Sequence, residues 1–284
     1  MNPARLVLGD FEVLVLRDGF LTVDAAEMFG SADRGRRGGP IPKSTNDRRA
    51  ISLNCFLIRT GKRLVLVDTG AGETLDGPRA ESYGFFRDPG LIESLHGLGH
   101  RPENIDLVIN THLHFDHCGG NTMRGVDGSI SPAFPRAEYV IQKGEWATGL
   151  NPSPSEGESY ARETFLPLET SGRLRLVEGD ACLCPGVIVM LSPGHTPGHQ
   201  SVKLESRGRV LVILGDLVPT SAHVSLSAVS GFDLDPGETA VNKQKIFEQG
   251  LKTSWIYGFV HDARHPFGRV ERPAARYVFR PAGN

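Results

Sequence analysis

Apolar side chains fall along this chain in short runs broken by glycine, proline or charge, the pattern of buried strands rather than of long helices. Residues 5–8 and 11–16 flank Gly9-Asp10, and Leu53–Ile58 and Leu64–Val67 flank Thr60-Gly61-Lys62, so each set reads as two paired strands. Asp106–Asn110 and Ala137–Gln142 are two more. From Leu174 to Leu214 strands recur with turns between them, among them Val187–Leu191 and Val210–Leu214. Trp255–Val260 is another, and a last strand pair runs to Phe279. Helical spacing is rarer. Leu91–Leu98 predicts a short helix ended by Gly99, and Glu238–Ser254, with Phe247 and Leu251 on one face, predicts a longer one. Two mixed sheets packed face to face, with helices outside, would bury these runs. The expected fold class is therefore α/β, a four-layer αββα sandwich.

Two stretches depart from the strand pattern. Residues 24–50 hold Gly30, Gly38, Gly39, Pro40 and Pro42 among many charges and predict a protruding loop. Residues 145–170 combine Trp146, Pro152, Pro154, Tyr160 and Phe165 with a Ser/Glu/Gly-rich stretch, and predict a partly helical insertion over the site. With 284 residues, 39% of them hydrophobic and 23% charged, the chain is an ordinary globular protein able to bury a substantial core. A net charge of −2 gives no basic excess for phosphate-backbone binding, so nucleic acid is not an expected partner. The first ten residues lack the apolar core of a signal peptide, and no run approaches the roughly 18 apolar residues of a membrane helix. No membrane partner and a cytoplasmic location are expected. Cys55, Cys118, Cys182 and Cys184 form no disulfide framework and read as structural thiols.

The chemistry is concentrated after the strand Asp106–Asn110. Thr111 to Gly120 reads Thr-His-Leu-His-Phe-Asp-His-Cys-Gly-Gly, placing His112, His114, Asp116 and His117 in six consecutive positions. Imidazoles with a carboxylate are the donors that zinc and related first-row cations prefer. In an extended segment His112 and His114 point to one side and can grip one ion, leaving adjacent Asp116 and His117 for a second. More ligands are then needed, and other strand ends offer them. Val187–Leu191 leads to the turn containing His195, Val210–Leu214 leads to Gly215-Asp216, where a carboxylate could span both ions, and Trp255–Val260 leads to His261-Asp262. Candidate ligands running from His112 to His261 tie most of the chain into one site, so residues 1–284 read as a single domain.

In motif order as well as type, these residues resemble the metallo-β-lactamase superfamily. Val67-Asp68-Thr69-Gly70 looks like its first motif, the cassette its second, His195 its third, Asp216 its fourth and His261 its fifth. The resemblance implies that His112, His114 and His195 hold one divalent cation and Asp116, His117 and His261 another. It implies that Asp216 bridges them and that Asp68 orients a ligand imidazole. His265, four residues beyond His261, competes for the last position. Zinc is the default cation, with manganese, cobalt or iron as alternatives.

The implied chemistry is hydrolysis of an ester bond. A metal-bridging hydroxide attacks, one ion stabilises the oxyanion, and Asp116 passes a proton to the leaving alkoxide, with Asp116 and Asp216 as the catalytic carboxylates. The cassette, Met28-Phe29-Gly30 and Asp216-Leu217-Val218-Pro219-Thr220 look like the quorum-quenching lactonases and methyl-parathion-hydrolase-like enzymes. A small lactone of the N-acyl homoserine type is the expected substrate. Arylesterase or phosphotriesterase activity is the alternative, and a non-catalytic metal-binding or sensing module is the second. Acyl-homoserine lactonases carry a tyrosine three residues after the bridging aspartate, where this chain has Pro219, and His223, Ser221 or Thr220 are the candidates to replace it. Phe29, Phe85, Phe86, Trp146 and Phe232 are candidates for an apolar pocket wall. On this reading the 24–50 loop is a pocket lid or the arm of a homodimer.

Overall fold

The computed structural model describes residues 3–29, 47–87, 89–154 and 156–282. Most of the protruding loop expected over 24–50, including Gly30, Gly38, Gly39, Pro40 and Pro42, lies outside these residues. At its beginning Ala25 and Met28 are buried while Glu27 between them is exposed.

Two seven-stranded sheets carry the chain. The first contains β1 (Ala4–Leu8), β2 (Phe11–Asp24), β3 (Arg48–Arg59), β4 (Leu64–Val67), β5 (Leu107–Ile109), β8 (Glu138–Gln142) and β9 (Leu174–Val177), paired in that order. β6 (Thr122–Arg124) and β7 (Ile130–Pro132) form a separate hairpin. The second sheet contains β10 (Ala181–Cys184), β11 (Val187–Leu191), β12 (Gln200–Ser206), β13 (Arg209–Ile213), β14 (Ile256–Gly258), β15 (Phe267–Glu271) and β16 (Val278–Pro281), again in sequence order. Both sheets are mixed. β4, β5, β8 and β9 run parallel, as do β13 and β14, and the other pairings are antiparallel.

The near-continuous apolar runs of the central strands follow from burial on both faces. Phe56 and Ile58 of β3, Val65 and Val67 of β4, and Leu107 and Ile109 of β5 face the other sheet, where Leu211, Ile213 and Ile256 meet them. The intervening residues Cys55, Leu57, Leu66 and Val108 point the opposite way, onto Leu91, Leu95, Trp146 and Phe165. On the far side of the second sheet Val212 and Tyr257 pack on Ile246 and Phe247 of the helix Pro236–Thr253. Helices, sheet, sheet and helix thus form the four layers. The long helix is set by its ends: the Asp235 carboxylate accepts from the Glu238 amide at 2.9 Å, Pro236 occupies the first turn, and Ser254 closes it in a left-handed conformation.

Topology decides where the site lies. β4 and β5 are parallel neighbours, β13 and β14 are parallel neighbours, and β11 runs in the same direction as β13 because two antiparallel steps separate them. The segments holding Asp68, the cassette, His195, Asp216 and His261 therefore leave the carboxyl ends of their strands at one rim, where open α/β sheets characteristically build sites. Backbone hydrogen bonds close that rim between the sheets, from Asn54 to the Val260 carbonyl at 2.8 Å and from Gln200 to the Thr111 carbonyl at 2.8 Å. Among the described residues, no helix is long and apolar enough to cross a membrane.

Candidate metal centre

The cassette is not extended throughout. His114 ends the extended part, and Phe115–Cys118 form a single helical turn. Leu113 is fully buried among the helix-facing core residues, which leaves His112 and His114 on the rim side. The turn swings Asp116 and His117 toward the neighbouring strand ends.

Two histidine-rich groups of donor atoms result, joined by a third made of His112, His117 and Asp216. One donor atom each from His112, His114 and His195 lie within 4.8 Å of one another, and so do those of Asp116, His117 and His261. In the first group His195 Nε2 faces His114 Nδ1 at 3.3 Å, and in the second His117 Nε2 faces His261 Nε2 at 3.2 Å. Asp216 lies between them. Its Oδ2 is 3.3 Å from His195 Nε2, and its Oδ1 is 3.1 Å from His261 Nε2 and 3.6 Å from His117 Nε2. His261, not His265, points into the cluster; the His265 ring lies against Phe279.

Hydrogen bonds on the outer ring nitrogens decide which way the lone pairs face. His117 Nδ1 is 2.9 Å from Asp68 Oδ2, His195 Nδ1 is 3.0 Å from Asp233 Oδ1, and His261 Nδ1 is 2.9 Å from the Ser52 carbonyl. None of these partners can donate, so each outer nitrogen carries the proton and, in the neutral ring, each Nε2 presents a lone pair inward. His112 follows the same logic: its Nδ1 meets the Thr111 hydroxyl at 3.1 Å, and that hydroxyl donates to Asp68 Oδ2 at 2.9 Å. Asp68 is itself held by the Thr111 amide at 2.7 Å and adopts a left-handed backbone, φ 57°. Aspartate tolerates that region better than most residues, and at a site such an outlier points to a functional demand.

This arrangement fits cations and does not satisfy itself. Ring nitrogens face ring nitrogens at 3.2 and 3.3 Å, while His112 Nε2, His114 Nε2 and Asp216 Oδ1 are buried with no hydrogen-bond partner. Burial disfavours charge throughout, and the cluster divides over it. His112 is held well below the usual imidazole range by burial and by the neighbouring imidazoles. His117 is driven well above that range because Asp116, Asp216 and Asp68 outweigh burial. Asp216 is held far below the usual carboxylate range because His261, His117 and His195 outweigh its burial. Positive charge is wanted at the centre of the two groups.

Three supporting residues carry no signal in the motifs. Asp233 orients His195 from an irregular stretch beyond the Asp216 segment. The Ser52 carbonyl belongs to β3. His199 sits in the same turn as His195, and its Nε2 accepts the Asp216 amide at 3.0 Å while Nδ1 donates to the Ser192 carbonyl at 3.0 Å. Burial and the nearby His195 lower its pKa to about 3, so it stays a neutral acceptor.

The expected pocket residues scatter. Phe29 lines a groove of about 1350 Å³ that reaches His261, together with Ile51, Thr220, Ser221 and Leu226. Trp146 is buried in the helix-facing core, edge-on to Phe165. Phe86 is half exposed and stacked on Phe20, Phe85 lies under Arg87, and Phe232 is exposed. His223 is fully buried with both nitrogens engaged, one 2.8 Å from the Thr220 hydroxyl and one 2.8 Å from the Met28 carbonyl. The stretch 145–170 folds partly into helices, at Lys143–Leu150, Arg162–Thr164 and Leu166–Thr170, and brings Glu156 Oε1 to 3.6 Å from His114 Nε2.

Residues 49–261 match the sequence profile of the metallo-β-lactamase superfamily. The chain belongs to that superfamily. Among its metallo-β-lactamase relatives, an N-acyl homoserine lactonase from Bacillus cereus is 30% identical over 226 residues, 75% of this chain and 82% of the relative. The fold matches a structure described as a probable metal-dependent hydrolase from Staphylococcus aureus, with TM-score 0.85, 24% identity, and 98% of this chain and 100% of that one covered. It also matches AidC, a dizinc quorum-quenching lactonase solved with the product N-hexanoyl-L-homoserine, with TM-score 0.79, 19% identity, and 100% and 98% covered. This metallo-β-lactamase fold protein is a metal-dependent hydrolase.

Proposed function

We propose that the protein is a dinuclear metal hydrolase that opens the ring of N-acyl homoserine lactones. His112, His114 and His195 hold one divalent cation, Asp116, His117 and His261 a second, and Asp216 spans both. The observation that carries this reading is the placement of the two Asp216 oxygens, one toward each triad. Nitrogen-rich donors favour zinc among the first-row cations. When bound, such a pair of cations lowers the pKa of water toward neutrality and polarises a carbonyl oxygen.

The chain's own residues do the rest. Asp68, Asp233 and the Ser52 carbonyl hold the imidazole tautomers, so no reorganisation is needed when a substrate arrives. Asp116 has the most exposed side chain of the cluster, at 15%, and can pass a proton to the alkoxide that leaves when the lactone opens. Phe29, Ile51 and Leu226 give the groove an apolar wall for an acyl chain, and Thr220 and Ser221 line it beside His261. His223 has no free nitrogen for substrate, and the Thr220 and Ser221 hydroxyls beside Pro219 are themselves bonded, to His223 and to Asp262.

The test is to assay purified, metal-quantified protein against N-acyl homoserine lactones of graded chain length, aryl esters and phosphotriesters. Two equivalents of cation and a preference for the lactones are expected. A preference for phosphotriesters over every lactone overturns the substrate assignment.

A further inference from the structure

Another buried carboxylate lies beside the cluster without touching its ligand side chains. Glu145, in the first turn of the helix Lys143–Leu150, is 1% exposed, and both of its oxygens are used. Oε1 accepts from the Leu113 amide and from the Tyr160 hydroxyl, each at 3.0 Å, and Oε2 accepts from the Thr196 hydroxyl at 2.6 Å. Leu113 stands between His112 and His114, and Thr196 follows His195. One carboxylate therefore joins the two segments that supply the first triad. The close approach is built in at Gly198, where a Cβ would lie 2.1 Å from the Glu145 amide nitrogen. Tyr160, held by the same carboxylate, sets its ring edge-to-face with His114, centroids 5.0 Å apart. The second triad is anchored elsewhere, by Asp68 and the Ser52 carbonyl.

We propose that Glu145 is a positioning residue for the first triad: its carboxylate fixes the backbone between His112 and His114 to the turn carrying His195, so that three imidazoles from two separate segments converge on one cation. The proposal rests on the metal-centre reading above. Because Glu145 contacts neither Asp116, His117 nor His261, its loss acts on one cation and spares the other.

Cation binding, rather than turnover, reads this out. Wild type and the E145A, E145Q, T196V and G198A variants are stripped, titrated with cobalt(II) and followed by its visible absorption, with bound metal counted by elemental analysis. Wild type takes up two equivalents. E145A and G198A retain one equivalent and bind the other about 10- to 100-fold more weakly, the usual effect of losing an outer-sphere partner. T196V, which leaves the Leu113 contact intact, weakens the same equivalent less. E145Q restores most of the affinity, since the glutamine oxygen still accepts from Leu113 and Tyr160 while the Thr196 hydroxyl reverses to accept from the amide. T196V is the mildest change and decides the matter should E145A fail to fold. A wild type with two cations beside variants that bind both equally well, or that lose both equally, overturns the role of Glu145 alone. A wild type that takes up no cation overturns the metal-centre reading and this proposal with it.

Discussion

The two triads are chemically similar and mechanically different. Around Asp116, His117 and His261, the orienting groups belong to the sheets: Asp68 directly follows β4, and the Ser52 carbonyl lies within β3, which is buried on both faces. Around His112, His114 and His195, support comes mainly from irregular or peripheral chain. Asp233 precedes the long helix, Glu156 lies in a turn-rich segment, and Glu145 reaches in from a short helix. One triad is thus tied to the folding core, and the other to segments that can change without unfolding the sheets. On the dinuclear reading, Asp68 reaches His112 as well, through the Thr111 hydroxyl, so only the His114 and His195 side of the first triad is separable from the stability of the core.

The largest effect breaks the comparison by removing what the triads share. Asp216→Ala deletes the carboxylate between them, and we expect loss of both cations in elemental analysis together with turnover at background. His112→Ala should abolish turnover and lose the cation of its own triad, leaving about one equivalent bound. Retained activity in a metal-free variant would end the dinuclear account. Next, Asp68→Asn and Asp233→Asn should each weaken cation binding about 10- to 100-fold. Asp68→Asn should in addition lower the unfolding free energy of the metal-free protein by about 2 kcal/mol, because Asp68 also accepts the Thr111 amide and hydroxyl inside the core. Equal denaturation midpoints for the two variants would erase the mechanical distinction.

A third test uses pH. Burial, reinforced by Lys243, lowers the His223 pKa to about 4, whereas in an unfolded chain it titrates near the ordinary 6.5. Between these values the unfolded chain binds a proton that the folded chain refuses. The contribution of His223 is therefore complete above pH 6.5 and lost as pH falls toward 4, amounting to about 3 kcal/mol. Urea titrations of metal-free protein should show this slope in wild type and a flatter one in His223→Gln. The smallest effect is expected at Cys118, whose thiol is fully buried and pushed far up in pKa by that burial. Cys118→Ala should cost about 1 kcal/mol in thermal unfolding and leave both cation affinities unchanged, showing that the thiol packs the cassette and is not a ligand.

The strands were legible because burial on both faces writes a continuous apolar run, and the cassette was legible because its donors are consecutive. The orienting groups were not. Asp233 sits 38 residues from His195 in a stretch with no period to read, and a backbone carbonyl such as that of Ser52 has no letter of its own. Trp146 and Glu145 show a subtler limit. Both are buried on one short helix, where adjacent residues diverge by about 100°. The tryptophan, conspicuous in sequence, fills the core, and the glutamate beside it reaches the ligand-bearing segments.

Position 68 carries a further consequence. A left-handed backbone there strains any side chain with a Cβ, so Asp68→Gly would relieve that conformation while stripping His117 of its partner and Thr111 of its acceptor. The two hydrogen bonds that Asp68 accepts from Thr111 offset the cost of that backbone, so the glycine would gain nothing in robustness while losing the group that orients His117.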